Sequence, residues 1–326
     1  VKSASTCSLL NRYDQFYIFT HVRPDGDAIG SSLAWGRALR LAGKSVQIFC
    51  PGVIPDKYLF LPRAGEIRDR VPDGNGAVPA FVLDCSDLNR LDYMKEKVQE
   101  LGEIVNIDHH VTNENFGDYN IVDTSSSATA EIIYDLIGEC GFKLDREISL
   151  CLYAAISSDT GSFKYENTTP RTMRIAGNLL EYNLNPSVVS RKLFDEYPLS
   201  TIMLLRDALA TLRFEEEQKI AWMSVTAEMI AVNGARPEEL ESFVNYVRNI
   251  EGVAVGILFY HTGNGETKVG LRSNTVDVAA IAWELGGGGH PRASGCTISG
   301  DASTVEKKVI DLIKVFISEN GTPAVE

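Results

Sequence analysis

Short apolar runs alternate with longer amphipathic stretches through the first half of the chain. Phe16–Thr20 is an aromatic, apolar run of the kind that makes a buried strand. Ile29–Ala42 has helical spacing and meets its stop signal at Gly43. Ser45–Cys50, Phe81–Leu83 and Ile104–Ile107 read as further strands. Ser125–Cys140 reads as a helix closed by Gly141, and Asp145 as the cap of the next, which runs to about Ser157. Strands alternating with helices predict an α/β fold with a mostly parallel sheet and helices on its faces.

The pattern changes after Asn185. Pro186–Phe194 and Leu199–Leu212 are helical stretches that look like a connector. Strands follow at Ile220–Val225, Val253–Tyr260 and Lys268–Ser273, with helices near Pro237–Ile250, Val278–Leu285 and Ser303–Ile317. These predict a second, smaller α/β unit. The expected organisation is therefore 1–195, a helical connector over 196–215, and 216–326. The chain carries no internal repeat and no low-complexity tract.

Composition narrows the function classes. With 326 residues, two domains are expected. A net charge of −13 argues against a broad basic face for long nucleic acid, though not against a short phosphorylated ligand held by a few cations or metals. Apolar runs stay below the roughly 18 residues of a membrane span, so no membrane partner is expected. Val1–Leu10 lacks the apolar core of a secretory signal, and the chain begins without Met. Cys7, Cys50, Cys85, Cys140, Cys151 and Cys296 are scattered without a C-x-x-C pair, which reads as reduced thiols in a cytoplasmic enzyme.

The richest segment is His21-Val-Arg-Pro-Asp25-Gly-Asp27-Ala-Ile-Gly30-Ser31, directly after a strand and before a helix. Ligands bind at the carboxyl ends of strands in open parallel sheets. An imidazole and two carboxylates there suit a divalent metal of borderline character; a plain Asp-Gly surface turn is the competing reading. Two more strands end in acid, at Asp84 and at Asp108-His109-His110, and a helix finishes at Asp159. A single such Asp is often only a helix cap. Their joint occurrence favours a site, since three of the five histidines lie at these strand ends.

In order and spacing, His21…Asp25-Gly-Asp27, Asp84, Asp108-His109-His110 and Asp159 resemble the DHH phosphoesterase superfamily. The second unit adds Gly286-Gly-Gly-Gly-His290-Pro-Arg292-Ala-Ser-Gly295, similar to the glycine-rich signature of the DHHA1 domain. The two resemblances span about Asp14 to Ile317, and the nearest branch is the bacterial oligoribonuclease/pAp-phosphatase group. One departure is Pro291-Arg292-Ala293-Ser294, where many members carry smaller residues.

The resemblance implies a dinuclear centre. His21, Asp25 and Asp84 would hold one ion, and Asp27, Asp84, His109 and Asp159 the other, with Asp84 bridging. Asp108 would orient an imidazole, and His110 would face the substrate. Mn2+ is the expected ion, with Mg2+ or Co2+ as alternatives. Paired ions about 3.5–4 Å apart generate hydroxide and clamp a phosphate.

In the second unit, Gly287, Gly288, Gly289 and His290 would cradle the far end of the substrate through backbone N–H groups. Four glycines also suit a flexible linker. Arg272, Ser273 and Arg292 would meet a terminal phosphate, although a surface salt bridge explains Arg272 equally well without the resemblance. His261 reads as an exposed turn residue, and Trp35, Trp222 and Trp283 as core.

The function this implies is metal-dependent hydrolysis of short oligoribonucleotides or linear dinucleotides, such as pApA and pGpG, to mononucleotides, with pAp to AMP as a further activity. Inorganic pyrophosphatase or exopolyphosphatase chemistry, a RecJ-like single-strand exonuclease and a non-hydrolytic nucleotide sensor are the rivals. The expected partner is a short nucleotide, with no long nucleic acid; a homodimer is left open.

Overall fold

The computed structural model describes residues 2–73, 78–240 and 242–320. Val1, at the head of the opening segment, and Glu241, inside the predicted helix Pro237–Ile250, lie outside them. So do 321–326, at the end of the expected third region. Two compact units divide after Glu196.

The first unit runs α1 (Lys2–Arg12), β1 (Gln15–Phe19), α2 (Gly26–Leu41), β2 (Ser45–Phe49), β3 (Ala80–Leu83), α3 (Lys95–Gln99), β4 (Ile104–Asp108), β5 (Tyr119–Val122), α4 (Thr129–Glu139), α5 (Arg146–Asp159), α6 (Pro170–Leu180) and α7 (Pro186–Ser190). Its five strands form a parallel sheet in the order β2-β1-β3-β4-β5. Alternation along β1 divides the core between the sheet's faces. Phe16 and Ile18 join Trp35, Phe81 and Ile133 on one face, while Tyr17 and Phe19 pack with Phe49, Leu91 and Met94 on the other.

Close packing of α2 on α5 positions the sheet's carboxyl edge. A Cβ on Gly30 would stand 2.5 Å from the Cys151 carbonyl, and one on Gly26 would stand 2.4 Å from Ser158 Oγ. Only glycine lets the start of α2 lie this near the end of α5. Farther along α2, Arg37 donates to Asp145, the residue that caps α5.

The second unit runs α8 (Leu199–Leu209), β6 (Arg213–Glu215), β7 (Ile220–Thr226), α9 (Ala227–Asn233), α10 (Phe243–Arg248), β8 (Val255–His261), β9 (Glu266–Ser273), α11 (Val278–Glu284), β10 (Gly288–His290), β11 (Ala293–Ser299) and α12 (Ala302–Asn320). Its sheet has the order β10-β11-β9-β8-β7-β6 and is antiparallel except for β7 on β8. One face packs Ile257, Phe259, Val269 and Leu271 with residues of α11 and α12. The other packs Met223, Val225 and Leu258 with residues of α8, α9 and α10.

Several expectations are corrected. Helix α4 starts at Thr129, not Ser125, because 125–128 form the loop that enters the site. Pro237–Ile250 is not one helix but a short 3₁₀ turn, Pro237–Leu240, and then α10. The cysteines are not all reduced thiols. Cys7 on α1 is bridged to Cys140, which ends α4, while Cys50, Cys85, Cys151 and Cys296 are free and buried. Trp35 and Trp222 are core residues, but Trp283 is 76% exposed, since α11 buries Val278, Ile281 and Ala282 instead. Among the described residues, no helix is long and apolar enough to cross a membrane.

Candidate metal centre

The acidic and imidazole residues of the first unit gather at the carboxyl edge of its sheet. His21 follows β1. Asp25 caps α2, its Oδ1 accepting from the Asp27 and Ala28 N–H groups at 3.0 Å each. Asp27 lies in the first turn of α2, Asp84 directly follows β3, Asp108 ends β4, and Asp159 ends α5. Asp84 holds a left-handed backbone, φ 58°. Such a conformation costs about 1–3 kcal/mol in a non-glycine residue and persists where the surroundings enforce it.

Both first imidazoles are oriented from behind. His21 Nδ1 lies 2.9 Å from the Val22 carbonyl and His109 Nδ1 lies 3.3 Å from the Ser126 carbonyl. A carbonyl only accepts, so each Nδ1 donates and each Nε2 is turned forward. His21 Nε2 then faces Asp84 Oδ2 at 3.6 Å and Asp25 Oδ2 at 4.0 Å. His109 Nε2 faces Asp159 Oδ2 at 3.4 Å, Asp84 Oδ1 at 3.6 Å and Asp27 Oδ2 at 4.0 Å. Among the described residues, His21 Nε2 is buried without a hydrogen-bond partner. Each Nε2 faces two or more carboxylate oxygens at 3.4–4.0 Å, a spacing that a proton occupies in part and that a divalent cation fits when the ring is neutral, so the donor set fits metal binding.

Three overlapping groups could hold an ion: His21, Asp25 and Asp84; Asp27, His109 and Asp159; and Asp84, His109 and His110. Asp84 turns one oxygen towards His21 and the other towards His109. Imidazole nitrogen and carboxylate oxygen suit a hard or borderline divalent ion better than a soft metal.

Crowding of carboxylates perturbs the protonation of the centre. Burial and the neighbouring Asp84 charge push Asp27 up to about 8. Burial, with the charges of Asp27 and Asp25, raises Asp159 well above its ordinary range. Burial would also raise Asp84, but His21, His109 and His110 outweigh it and hold that carboxyl below the usual range. For His109, burial favours the neutral ring, yet Asp84, Asp27 and Asp159 prevail and lift it to about 9.

His110 stands in a separate relay. Its Nδ1 lies 2.7 Å from Asp108 Oδ1, so Asp108 orients His110. Asn113 Nδ2 donates to Asp108 Oδ2 at 2.6 Å and to Asn106 Oδ1 at 2.9 Å. Asn106 Nδ2 in turn donates to the Cys85 carbonyl at 3.1 Å. Sequence reasoning missed Asn106 and Asn113, although a polar residue inside the apolar strand Ile104–Asp108 was a usable signal. It also missed Ser31, Ser126 and Thr129, which bind Asp27, His109 and Asp84.

In the second unit, Arg272 on β9, Ala293 on β11 and His290 on β10 lie in cross-strand register. Directly opposed residues share a sheet face, so Arg272 and His290 stand about 10 Å apart across a small alanine. Arg292 is exposed, with Nη1 on the Val276 carbonyl at 3.4 Å. Ser273 is a correction: it is buried, its Oγ donates to the Ala254 carbonyl and accepts from Thr275 and Val276 N–H, so it is closed to a ligand. The glycine run is not a linker. A Cβ on Gly287 would stand 2.2 Å from the Gly295 carbonyl, and one on Gly289 would stand 2.6 Å from the Ala293 carbonyl. Close approach of β10 to β11 thus demands those two glycines, while Gly288 has open space. His261 is likewise not a bare turn residue, because its ring bonds Thr267 at 2.9 Å and Glu306 at 3.0 Å.

Residues 15–156 match the model of the DHH family, N-terminal domain, and residues 223–319 that of the DHHA1 domain. The bifunctional oligoribonuclease and PAP phosphatase NrnA of Thermus thermophilus is 35% identical over 308 residues, covering 94% of this chain and 91% of that protein. Its Bacillus subtilis counterpart is 29% identical over 292 residues, 89% of this chain and 91% of that protein. The crystal structure of an exopolyphosphatase-related protein from Bacteroides fragilis superposes with a TM-score of 0.89 at 26% identity, covering 98% of this chain and 96% of that one. RecJ from Thermus thermophilus, in complex with Mn2+, shares the fold at a TM-score of 0.56 and 13% identity, covering 97% of this chain and 54% of that one.

Proposed function

Since the chain belongs to the DHH family and carries a DHHA1 domain behind the DHH domain, we propose that it is a metal-dependent phosphoesterase of short nucleotides. It hydrolyses short oligoribonucleotides and linear dinucleotides such as pApA and pGpG to mononucleotides, and converts pAp to AMP. The NrnA relatives carry both activities in their names. The observation that carries this reading is the shared Asp84 carboxylate, one oxygen 3.6 Å from His21 Nε2 and the other 3.6 Å from His109 Nε2.

His21, Asp25 and Asp84 would hold one divalent ion, and Asp27, Asp84, His109 and Asp159 the second, with Mn2+ preferred over Mg2+ or Co2+. Such a pair supplies positive charge at the scissile phosphate and lowers the pKa of water. The protein's own groups do the rest. The Val22 and Ser126 carbonyls fix the two ligand imidazoles. Asp108 holds the Nδ1 proton of His110, and the ring's Nε2 would meet a phosphate oxygen or the departing ribose oxygen.

The second unit contributes substrate contacts. Arg272 and His290, with Arg292, offer cations and donors to a terminal phosphate, and Gly287, Gly288 and Gly289 let the chain pass close to it. Residues 1–195 act as the catalytic domain and 216–326 as the substrate domain; the stretch expected as a connector, 196–215, instead carries α8 and β6, which pack into the second unit. The reading sets the enzyme in the cytoplasm, where RNA is turned over.

Turnover of pApA, pAp, pyrophosphate and polyphosphate by the Mn2+-loaded enzyme tests the proposal. AMP from pApA and from pAp is expected. Preferred release of inorganic phosphate from pyrophosphate or polyphosphate would overturn it in favour of the activity suggested by the Bacteroides fragilis protein's name.

A further inference from the structure

Every ligand named above is an imidazole or a carboxylate, yet one short segment without either touches three of them. The loop before α4 and its first turn run Ser126-Ser127-Ala128-Thr129-Ala130. The Ser126 carbonyl accepts from His109 Nδ1 at 3.3 Å. Thr129 N–H donates to Asp27 Oδ2 at 2.5 Å, and Ala130 N–H to Asp27 Oδ1 at 3.0 Å. The Thr129 hydroxyl donates to Asp84 Oδ1 at 2.8 Å. Thr129 is thus the residue bonded at once to the shared carboxylate and to a ligand of the second group.

The segment is braced from behind. Ser127 Oγ donates to Glu131 Oε1 at 2.6 Å and accepts from Thr172 Oγ1 at 3.2 Å. Arg171 pairs with the fully buried Glu131 and donates to Ser126 Oγ at 3.1 Å. Asn167 Nδ2 bridges the Ser127 carbonyl at 3.0 Å and the Asp159 carbonyl at 3.2 Å. Charge-assisted and doubly anchored, this brace gives Thr129 a fixed position from which to hold others.

A bridging carboxylate must splay its two oxygens, one to each ion. Its terminal torsion is broad, and nothing in the covalent geometry of Asp84 fixes the splay. The Thr129 hydroxyl lies on the Oδ1 side, the side that faces His109. A hydrogen bond there holds Oδ1 towards the second group and leaves Oδ2 towards His21.

We infer that Thr129 is a positioning residue of the centre: its hydroxyl sets the splay of Asp84, and its N–H sets Asp27. Thr129 is fully buried, so it acts through those carboxylates and not on substrate. The inference rests on the metal-centre reading above.

The test is calorimetric titration of the metal-free, full-length protein with Mn2+, beside the thermal midpoint of each apoprotein. Thr129→Val keeps the shape and the backbone donor but removes the hydroxyl; Thr129→Ser restores it. Outer ligands of this kind are worth about 10–100-fold in metal affinity, so Thr129→Val should weaken Mn2+ binding by that factor and Thr129→Ser should return it to within about threefold. A purely structural role would lower the midpoint of Thr129→Val and leave its Mn2+ affinity at the wild-type value, which overturns the inference. Should Thr129→Val fail to fold, Thr129→Ala is read against the same two outcomes. Wild-type protein that binds no Mn2+ would instead overturn the underlying metal-centre reading.

Discussion

Loading the centre with metal should expel protons even at alkaline pH. Ligation needs a neutral imidazole and an ionised carboxylate, but His109 is lifted to about 9 and Asp27 to about 8. At pH 8 the pair therefore still holds protons that ligation must displace, on the order of one from these two groups. Apparent affinity should rise about tenfold per pH unit there for each proton displaced, or about 1.4 kcal/mol. An ordinary imidazole at about 6.5 and carboxylate at about 4 would release almost nothing at pH 8. The assay is calorimetric Mn2+ titration at pH 8 in Tris and in Hepes, whose different ionisation heats report the protons exchanged. Equal heats in the two buffers, with affinity flat from pH 7.5 to 8.5, would refute the crowding argument.

The same shifts fix the sign of apoprotein stability. His109 and Asp27 bind protons more tightly folded than unfolded, so their contribution is present at low pH and lost as pH rises through about 8 and 9; thermal midpoints of the apoprotein should fall from pH 6 to 9, and a rise would contradict this. His109→Ala should lose metal and rate together, whereas His110→Ala should keep its metal and lose kcat if, as proposed, the Asp108-held ring meets substrate and not metal; equal metal loss in both would show the pair misassigned. Arg272→Ala should cut kcat/KM on pApA by about ten- to a hundred-fold, the worth of one charge-assisted hydrogen bond, and spare bis-p-nitrophenyl phosphate; equal losses on both esters would refute a substrate-gripping role.

Much of the gathering of these residues was legible because the candidate ligands sit where a strand hands over to a loop. His21, Asp25, Asp27 and Asp84 follow short apolar strands and Asp108–His110 begins on the last residue of one, and strand ends on one edge of a parallel sheet converge. Thr129 was hidden because Ser125–Cys140 reads in sequence as one continuous helix, in which a threonine near the start carries no signal of a site. Asn106 was hidden inside a strand of otherwise apolar character, where its role depends on Asn113 from the next loop. Cys7 and Cys140, 133 residues apart, meet only because α1 packs back on α4, which no local spacing encodes. Strands β10 and β11 were missed because glycines weaken every strand signal, although β10 needs them to approach β11. Trp283 misled for the opposite reason: large aromatic residues are usually buried, and its helix spends its apolar face on smaller residues.

That one carboxylate, Asp84, serves two ions is the claim on which the rest depends. Anomalous diffraction from Mn2+-soaked crystals tests it most directly. Two manganese peaks are predicted, one in contact with His21 and Asp25 and one with Asp27, His109 and Asp159, both sharing Asp84. A single peak at saturating Mn2+, or two that do not share Asp84, would contradict it.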